Sequence, residues 1–127
     1  MITQQPTVHV KPITGYPALK MIWQHRVKEA DVQPAFQDIM TALQEASSSL
    51  YVVVDLSKDP MFPLVETVYQ ALRGPFRNPK LAEWLVFSSN GAARTIGETL
   101  SKTARRNNIR WFDDEDEALA YLDAICP

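Results

Sequence analysis

The spacing of apolar residues along the chain switches repeatedly between two and three-to-four. Thr7–Lys11 alternates, with Val8 and Val10 on one side and Thr7, His9 and Lys11 on the other. After Pro12 to Pro17, a turn with two prolines and Gly15, alternation resumes. Leu19, Met21, Trp23, His25 and Val27 face one way, and Lys20, Gln24 and Arg26 the other, with Ile22 breaking the polar side. Period two over such lengths predicts two half-buried strands, and the turn between them predicts an antiparallel hairpin.

From Asp31 to Ala46 the period changes. Val32, Ala35, Phe36, Ile39, Met40, Leu43 and Ala46 fall on one helical stripe, with Asp31 as the candidate N-cap and Pro34 in the first turn. Leu50-Tyr51-Val52-Val53-Val54-Asp55-Leu56 is apolar until its aspartate, the pattern of a central parallel strand covered on both sides. Lys58 to Pro63 reads as a loop. The helix after it carries Leu64, Val65, Val68, Tyr69 and Leu72 on one face, and Gly74-Pro75 stops it. Trp84–Phe87 is the next buried strand. A third helix follows, with Ala92, Ala93, Ile96, Leu100 and Ala104 inward, and Ile109–Phe112 forms a short last strand. Asp114 and Glu117 make a capping box for a final helix whose inner face is Ala118, Leu119, Leu122 and Ile125.

The order is β-β-α-β-α-β-α-β-α. Strands alternating with helices predict parallel pairing with right-handed crossovers, hence an α/β domain with an antiparallel N-terminal edge strand. Residues 1–127 read as a single domain, without an internal repeat or linker.

Composition narrows the picture. A chain of 127 residues with 46% hydrophobic residues and a net charge of −2 suits one folded domain rather than a disordered one. No apolar run approaches the roughly 18 residues of a membrane span. One cysteine, Cys126, excludes a disulfide scaffold, and Met1–Pro6 lacks the features of a signal peptide, so a cytoplasmic setting is expected. The charge is unevenly laid out: −1 over residues 1–60, +5 over 61–112 and −6 over 113–127. Lys102, Arg105 and Arg106 near a helix end, and Asp113–Glu117 at the next helix start, each stand where a helix dipole favours them. That explanation is local, and no nucleic-acid partner is expected.

The strand Tyr51-Val52-Val53-Val54-Asp55-Leu56-Ser57, the strand Trp84-Leu85-Val86-Phe87-Ser88-Ser89 and the ending Trp111-Phe112-Asp113-Asp114-Glu115-Asp116-Glu117-Ala118-Leu119-Ala120-Tyr121-Leu122 stand in that order. Together they resemble the STAS domain, named for sulfate transporters and anti-sigma-factor antagonists. They are more similar still to the STAS-like family grouped with lipid-binding domains. The resemblance implies a STAS-like fold and a binding module with its functional surface at the carboxyl end of the sheet. In anti-sigma-factor antagonists a serine in an Asp-Ser-Ser-Gly type motif is phosphorylated at the start of the helix after the central strand. Here that region reads Ser57-Lys58-Asp59-Pro60-Met61-Phe62-Pro63-Leu64, with no serine before a glycine, so the phosphoswitch does not carry over.

The candidate site residues gather at strand ends. Asp55 closes the central strand, where ligands of open α/β sheets collect, and its carboxylate also suits capping the following turn. Ser57 and Asp59 lie in that turn. Ser88 and Ser89, with Asn90 and Gly91, precede a helix, where backbone N–H groups can hold an anion and where Ser89 or Asn90 would serve as an ordinary cap. His9 and His25 lie on adjacent strands without a third ligand, so no metal, cofactor or catalytic residue is assigned. Met61 and Phe62 are apolar residues in a loop, which marks a lid over the core, a partner surface or the mouth of an apolar pocket. The expected function is therefore a non-enzymatic regulatory protein–protein interaction module, with homodimerisation open. A carrier or sensor of a hydrophobic small molecule or lipid is the alternative.

Overall fold

The computed structural model describes residues 5–126; residues 1–4, on which the expectation of no signal peptide partly rests, and residue 127 lie outside them. The elements are β1 (Val8–Pro12), β2 (Ala18–Trp23), α1 (Val32–Glu45), β3 (Leu50–Asp55), α2 (Leu64–Arg73), β4 (Leu81–Phe87), α3 (Gly91–Ala104), β5 (Ile109–Phe112) and α4 (Glu115–Ile125). Single 3-10 turns at Glu29–Asp31 and Pro75–Arg77 lead into α1 and out of α2. The expected element order is met.

The sheet runs β1-β2-β3-β4-β5, with β1 antiparallel to β2 and the other pairs parallel. Strand order equals chain order, so every parallel crossover steps in the same direction. Right-handed crossovers that never reverse direction put their helices on one face of the sheet. Accordingly α1 and α3 bury Phe36, Ile39, Leu43, Ile96 and Leu100 on the face that carries Met21, Trp23, Val52, Val54, Trp84 and Val86. Only α4, which follows the last strand, covers the opposite face, where Ala118 and Leu122 meet Val53, Leu85 and Phe87. Val52, Val53 and Val54 are thereby buried on both sides of β3, as its unbroken apolar run requires.

Three helices compete for one face. Helix axes pack about 8–10 Å apart, whereas strands lie about 4.8 Å apart, so helices that cross between successive strands cannot all lie flat on the sheet. The outer two spread, α1 reaching over β1, and α2 packs mainly on α1 and α3. An amphipathic helix ordinarily turns its apolar face to the core. Here α2 fully buries Thr67, Gln70 and Ala71 and packs Val68 and Leu72 half-buried on the core, and the rest of its apolar stripe, Leu64, Val65 and Tyr69, stands exposed.

Two local readings change. Asp31 occupies the start of α1 but does not cap it; its Oδ2 accepts from Thr7 N at 2.8 Å and Thr7 Oγ1 at 2.7 Å. The 3-10 turn already gives Asp31 a helical backbone, so the carboxylate is free to tie the chain before β1 to the head of α1. His25 does not continue the inward face of β2, because that strand ends at Trp23. The capping box at α4 forms: Asp114 accepts from Glu117 N at 3.0 Å, and Glu117 Oε2 accepts from Asp113 N at 3.0 Å.

The basic segment is largely engaged within the fold. The Arg106 guanidinium donates to the carbonyls of Phe76, Asn78 and Leu81 at 3.0–3.2 Å. Arg110 pairs with Glu83 at 2.5 Å, and Arg94 stacks over Trp111 at 4.2 Å. On the same side as Arg110, Tyr121 donates to Glu83 at 2.5 Å, and burial holds its phenol neutral, its pKa pushed up to about 12.

The backbone and side-chain bonds from Thr7 hold the Asp31 carboxyl below its usual range. A lowered folded-state pKa means stability that is present above the unfolded value and lost as pH falls through the folded one. Asp31→Asn should therefore lower the melting temperature at pH 7, and the gap from the parent should close as pH falls below about 4. Parallel thermal melts from pH 7 to pH 2.5 check this; a gap independent of pH would contradict it.

Candidate functional site

At the carboxyl end of β3 the chain turns sharply. Asp55 Oδ1 accepts from Ser57 N at 2.9 Å and Ser57 Oγ at 2.6 Å, an Asx turn, while Oδ2 lies 3.8 Å from Lys20 Nζ. Lys20 also meets Glu115 at the head of α4. Both functional groups of Ser57 are thus occupied by the turn, and Ser57 precedes α2 by seven positions rather than standing at its first turn.

The loop that follows is pinned from two sides. From β2's exit, His25 Nδ1 as an N–H donates to the Asp59 carbonyl at 2.8 Å, and His25 O accepts from Met61 N at 2.9 Å. From the other side, Asn90 Nδ2 donates to Asp59 Oδ1 at 2.8 Å and to Pro60 O at 3.1 Å. The same Asn90 caps α3, its Oδ1 accepting from Ala93 N at 2.8 Å. Asp59 sits at φ 51°, a left-handed conformation that these bonds maintain. Ser88 is left-handed too, at φ 58°, and donates to Asp113 O at 3.3 Å; Ser89 Oγ accepts from Arg94 Nε at 3.1 Å. The cap at α3 is therefore Asn90, and the two serines bind neighbouring chain.

Met61 and Phe62, adjacent in sequence, separate in space. Phe62 turns in and packs edge-on against Trp23 with ring centroids 5.0 Å apart, as part of the lid over the core. Met61 turns out, 56% exposed, and continues into the outer face of α2, where Val65 is 86% exposed and Leu64 and Tyr69 about half. At the far end of that face Arg73 lies over the Tyr69 ring at 5.7 Å. Beside it, between α1 and the end of α2, runs a groove of about 640 Å³ lined by Gln37, Met40, Gln70, Arg73 and Lys80 among others, with no acidic side chain in its lining.

Beneath α2 the interior is incompletely filled. A cavity of about 80 Å³ lies between the sheet residues Trp23, Val54 and Trp84 and the helix residues Phe36, Ala71 and Ile96. A void of that size lowers stability by about 2 kcal/mol relative to a filled core. Gly97 lines its edge: a Cβ there would meet the Trp111 ring at 2.7 Å, so only glycine lets that indole lie against α3.

The structure thus brings Asp55, Ser57 and Asp59 into one braced turn, and ties Asp59 to the loop of Ser88 and Ser89 through Asn90. Two residues escaped the sequence reading as site elements. Asn90 was visible as a helix cap but not as a cross-brace, because its partners are some thirty residues away. Val65 carries the outer face, and its cue was the uncharged back of α2, Thr67-Gln70-Ala71, where a solvated face would carry ions. Among the described residues no three His, Cys, Asp or Glu converge in a way that could hold a metal ion, and no helix is long and apolar enough to cross a membrane.

Removing the Asn90 amide leaves the Ala93 N–H without its cap and the Asp59 loop held from the His25 side alone. Asn90→Ala should cost about 1–2 kcal/mol in urea unfolding and speed amide exchange across residues 57–62. Unchanged exchange in that loop would remove Asn90 from its bracing role.

No family model matches the chain, and no curated protein matches it. Among solved structures it is similar to a protein of the DUF3478 family from Shewanella loihica PV-4, described as uncharacterised and as having a SpoIIAA-like fold. The two superpose with a TM-score of 0.62 at 11% identity, over 96% of this chain and 98% of that one. At that identity the likeness concerns architecture, and it agrees with the strand order and helix placement described above. The chain has the SpoIIAA-like, STAS-type α/β fold.

Proposed function

We propose that this domain is a non-enzymatic regulatory module that binds a partner protein through Met61 and the outer face of α2. One observation carries the reading: α2 leaves Leu64, Val65 and Tyr69 of its apolar stripe exposed to solvent while Val68 and Leu72 pack half-buried on the core beside the buried Thr67, Gln70 and Ala71. A contiguous exposed apolar face rimmed by polar residues is the mark of a protein contact surface. The loop before it is braced by His25 and Asn90, so the surface is held in place before a partner arrives, which limits the ordering cost of association.

Charge describes the partner. Arg73 and Arg77 are exposed at the end of α2, and the neighbouring groove has no acidic lining. A partner helix with apolar residues at three- and four-residue steps, flanked by Asp or Glu, complements both features. The engagement of Arg94, Arg106 and Arg110 within the fold argues against nucleic acid as that partner. The occupation of Ser57 by Asp55 supports regulation without a serine phosphoswitch, and the single cysteine suits a reducing cytoplasm.

Selection of a phage-displayed helical peptide library on the immobilised domain tests the reading. It should enrich peptides of the stated pattern, and Val65→Asp or Tyr69→Asp should weaken their binding at least about tenfold. Enrichment of no pattern, or equal binding by both variants, would sink the proposal. So would sedimentation showing a dimer that Val65→Asp disperses, since the face would then belong to a second copy. Intact-mass measurement of the native protein should find Ser57 without phosphate; a stoichiometric phosphate there would contradict the absence of a switch.

A further inference from the structure

The cavity beneath α2 has an apolar wall throughout, and no ionisable side chain lines it. Three of its lining residues, Trp23, Thr67 and Trp84, are 3%, 4% and 6% exposed. Each holds a polar atom (two indole N–H groups and the Thr67 hydroxyl) without a hydrogen-bond partner among the described residues. A well-packed interior keeps neither voids of this size nor groups of unpaired donors. His9 and Asn108 hold unpartnered polar atoms elsewhere, but beneath α2 the void and three such atoms coincide.

We propose that this cavity is a binding site for a small, neutral, apolar molecule carrying at most one hydrogen-bond acceptor, in the size class of a single ring or a short alkyl chain. The site is independent of the outer face of α2 and of any protein partner there. Volume sets the upper limit: about 80 Å³ is roughly half of an engineered 150 Å³ apolar cavity that stays dry and takes benzene or xenon. One xenon atom fits, and a ring fits if the wall gives slightly. Neutrality follows from the lining, because a buried ion would find no countercharge. The limit on polarity follows from the orphaned groups. The two indoles can only donate and the Thr67 hydroxyl is the one acceptor, but none of the three atoms is exposed in the wall, so a ligand gains a hydrogen bond only where the wall shifts. Retained water, which needs two to four partners on an open polar surface, fits this wall poorly.

The aromatic wall supplies the reporter, since Trp23 and Trp84 both face the site. Benzene near aqueous saturation should raise the melting temperature of the whole protein by about 2–4 °C and change its tryptophan emission, while benzoate at the same concentration does neither. Xenon under pressure should show a saturable shift of its NMR line with the same protein. Ala71→Leu and, separately, Ala93→Val place new carbons in the cavity from α2 and α3. Either variant that retains the parental circular dichroism should lose most of the benzene shift. The proposal is overturned if benzene and xenon both leave the wild-type protein unchanged, or if benzoate acts as benzene does. It is overturned equally if a folded filling variant responds as the parent does. The wild-type measurements decide the matter even if both variants fail to fold.

Discussion

Burial of β3 on both sides is the constraint from which the remaining architecture follows. Val52 and Val54 point to one face and Val53 to the other, and all three are withdrawn from water. Each such side chain contributes roughly 1.5–3 kcal/mol by its burial, so helices must cover both faces of the sheet. Because the strands succeed one another in chain order, right-handed crossovers assign three helices to one face and leave the other to α4. The asymmetry of the two layers is therefore a consequence of connectivity.

The middle helix bears that consequence. It lies between α1 and α3, with less of the sheet available to it, and its inward side is narrow and uncharged. Part of its apolar side, Leu64, Val65 and Tyr69, faces out, and the packing beneath it leaves a void beside Trp23, Thr67 and Trp84. The outer stripe and the inner cavity are thus two results of one crowded layer. The loop ahead of α2 is correspondingly well braced. His25, at the exit of β2, and Asn90, at the head of α3, hold residues 59–61 by backbone and side-chain bonds, so Phe62 is delivered inward and Met61 outward from adjacent positions.

Most of the architecture was legible in the sequence because it is written in periodicity. The alternation through β2, the unbroken apolar run of β3 and the stripe of α1 each respond to a local geometric rule; β3 and α1 formed near their expected bounds, and β2 stopped at Trp23, short of the alternation's end at Val27. The order of elements, with the Asp55-Leu56-Ser57 strand end and the acidic start of α4, was enough to suggest the STAS-type fold. The site was less legible, for three physical reasons. Amphipathicity tells which residues share a face of α2 but not which way the face points, since that depends on neighbours over the same side of the sheet. Period two would have kept His25 on the inner face, but β2 ends before it, and its ring instead finds the Asp59 carbonyl. Gly97 gave no local signal at all, because its requirement comes from the Trp111 ring, which arrives from another strand.

The orientation of α2 is what most of this account depends on, and side-chain burial tests it directly. The measurement is urea unfolding of a variant carrying Leu64→Ser, Val65→Ser and Tyr69→Ser together. If these side chains face solvent, the midpoint shifts little, by no more than about 0.5 kcal/mol per site. If α2 in solution turns that stripe to the sheet, the variant should lose about 2 kcal/mol or more at each site, and the account of the outer face would be wrong.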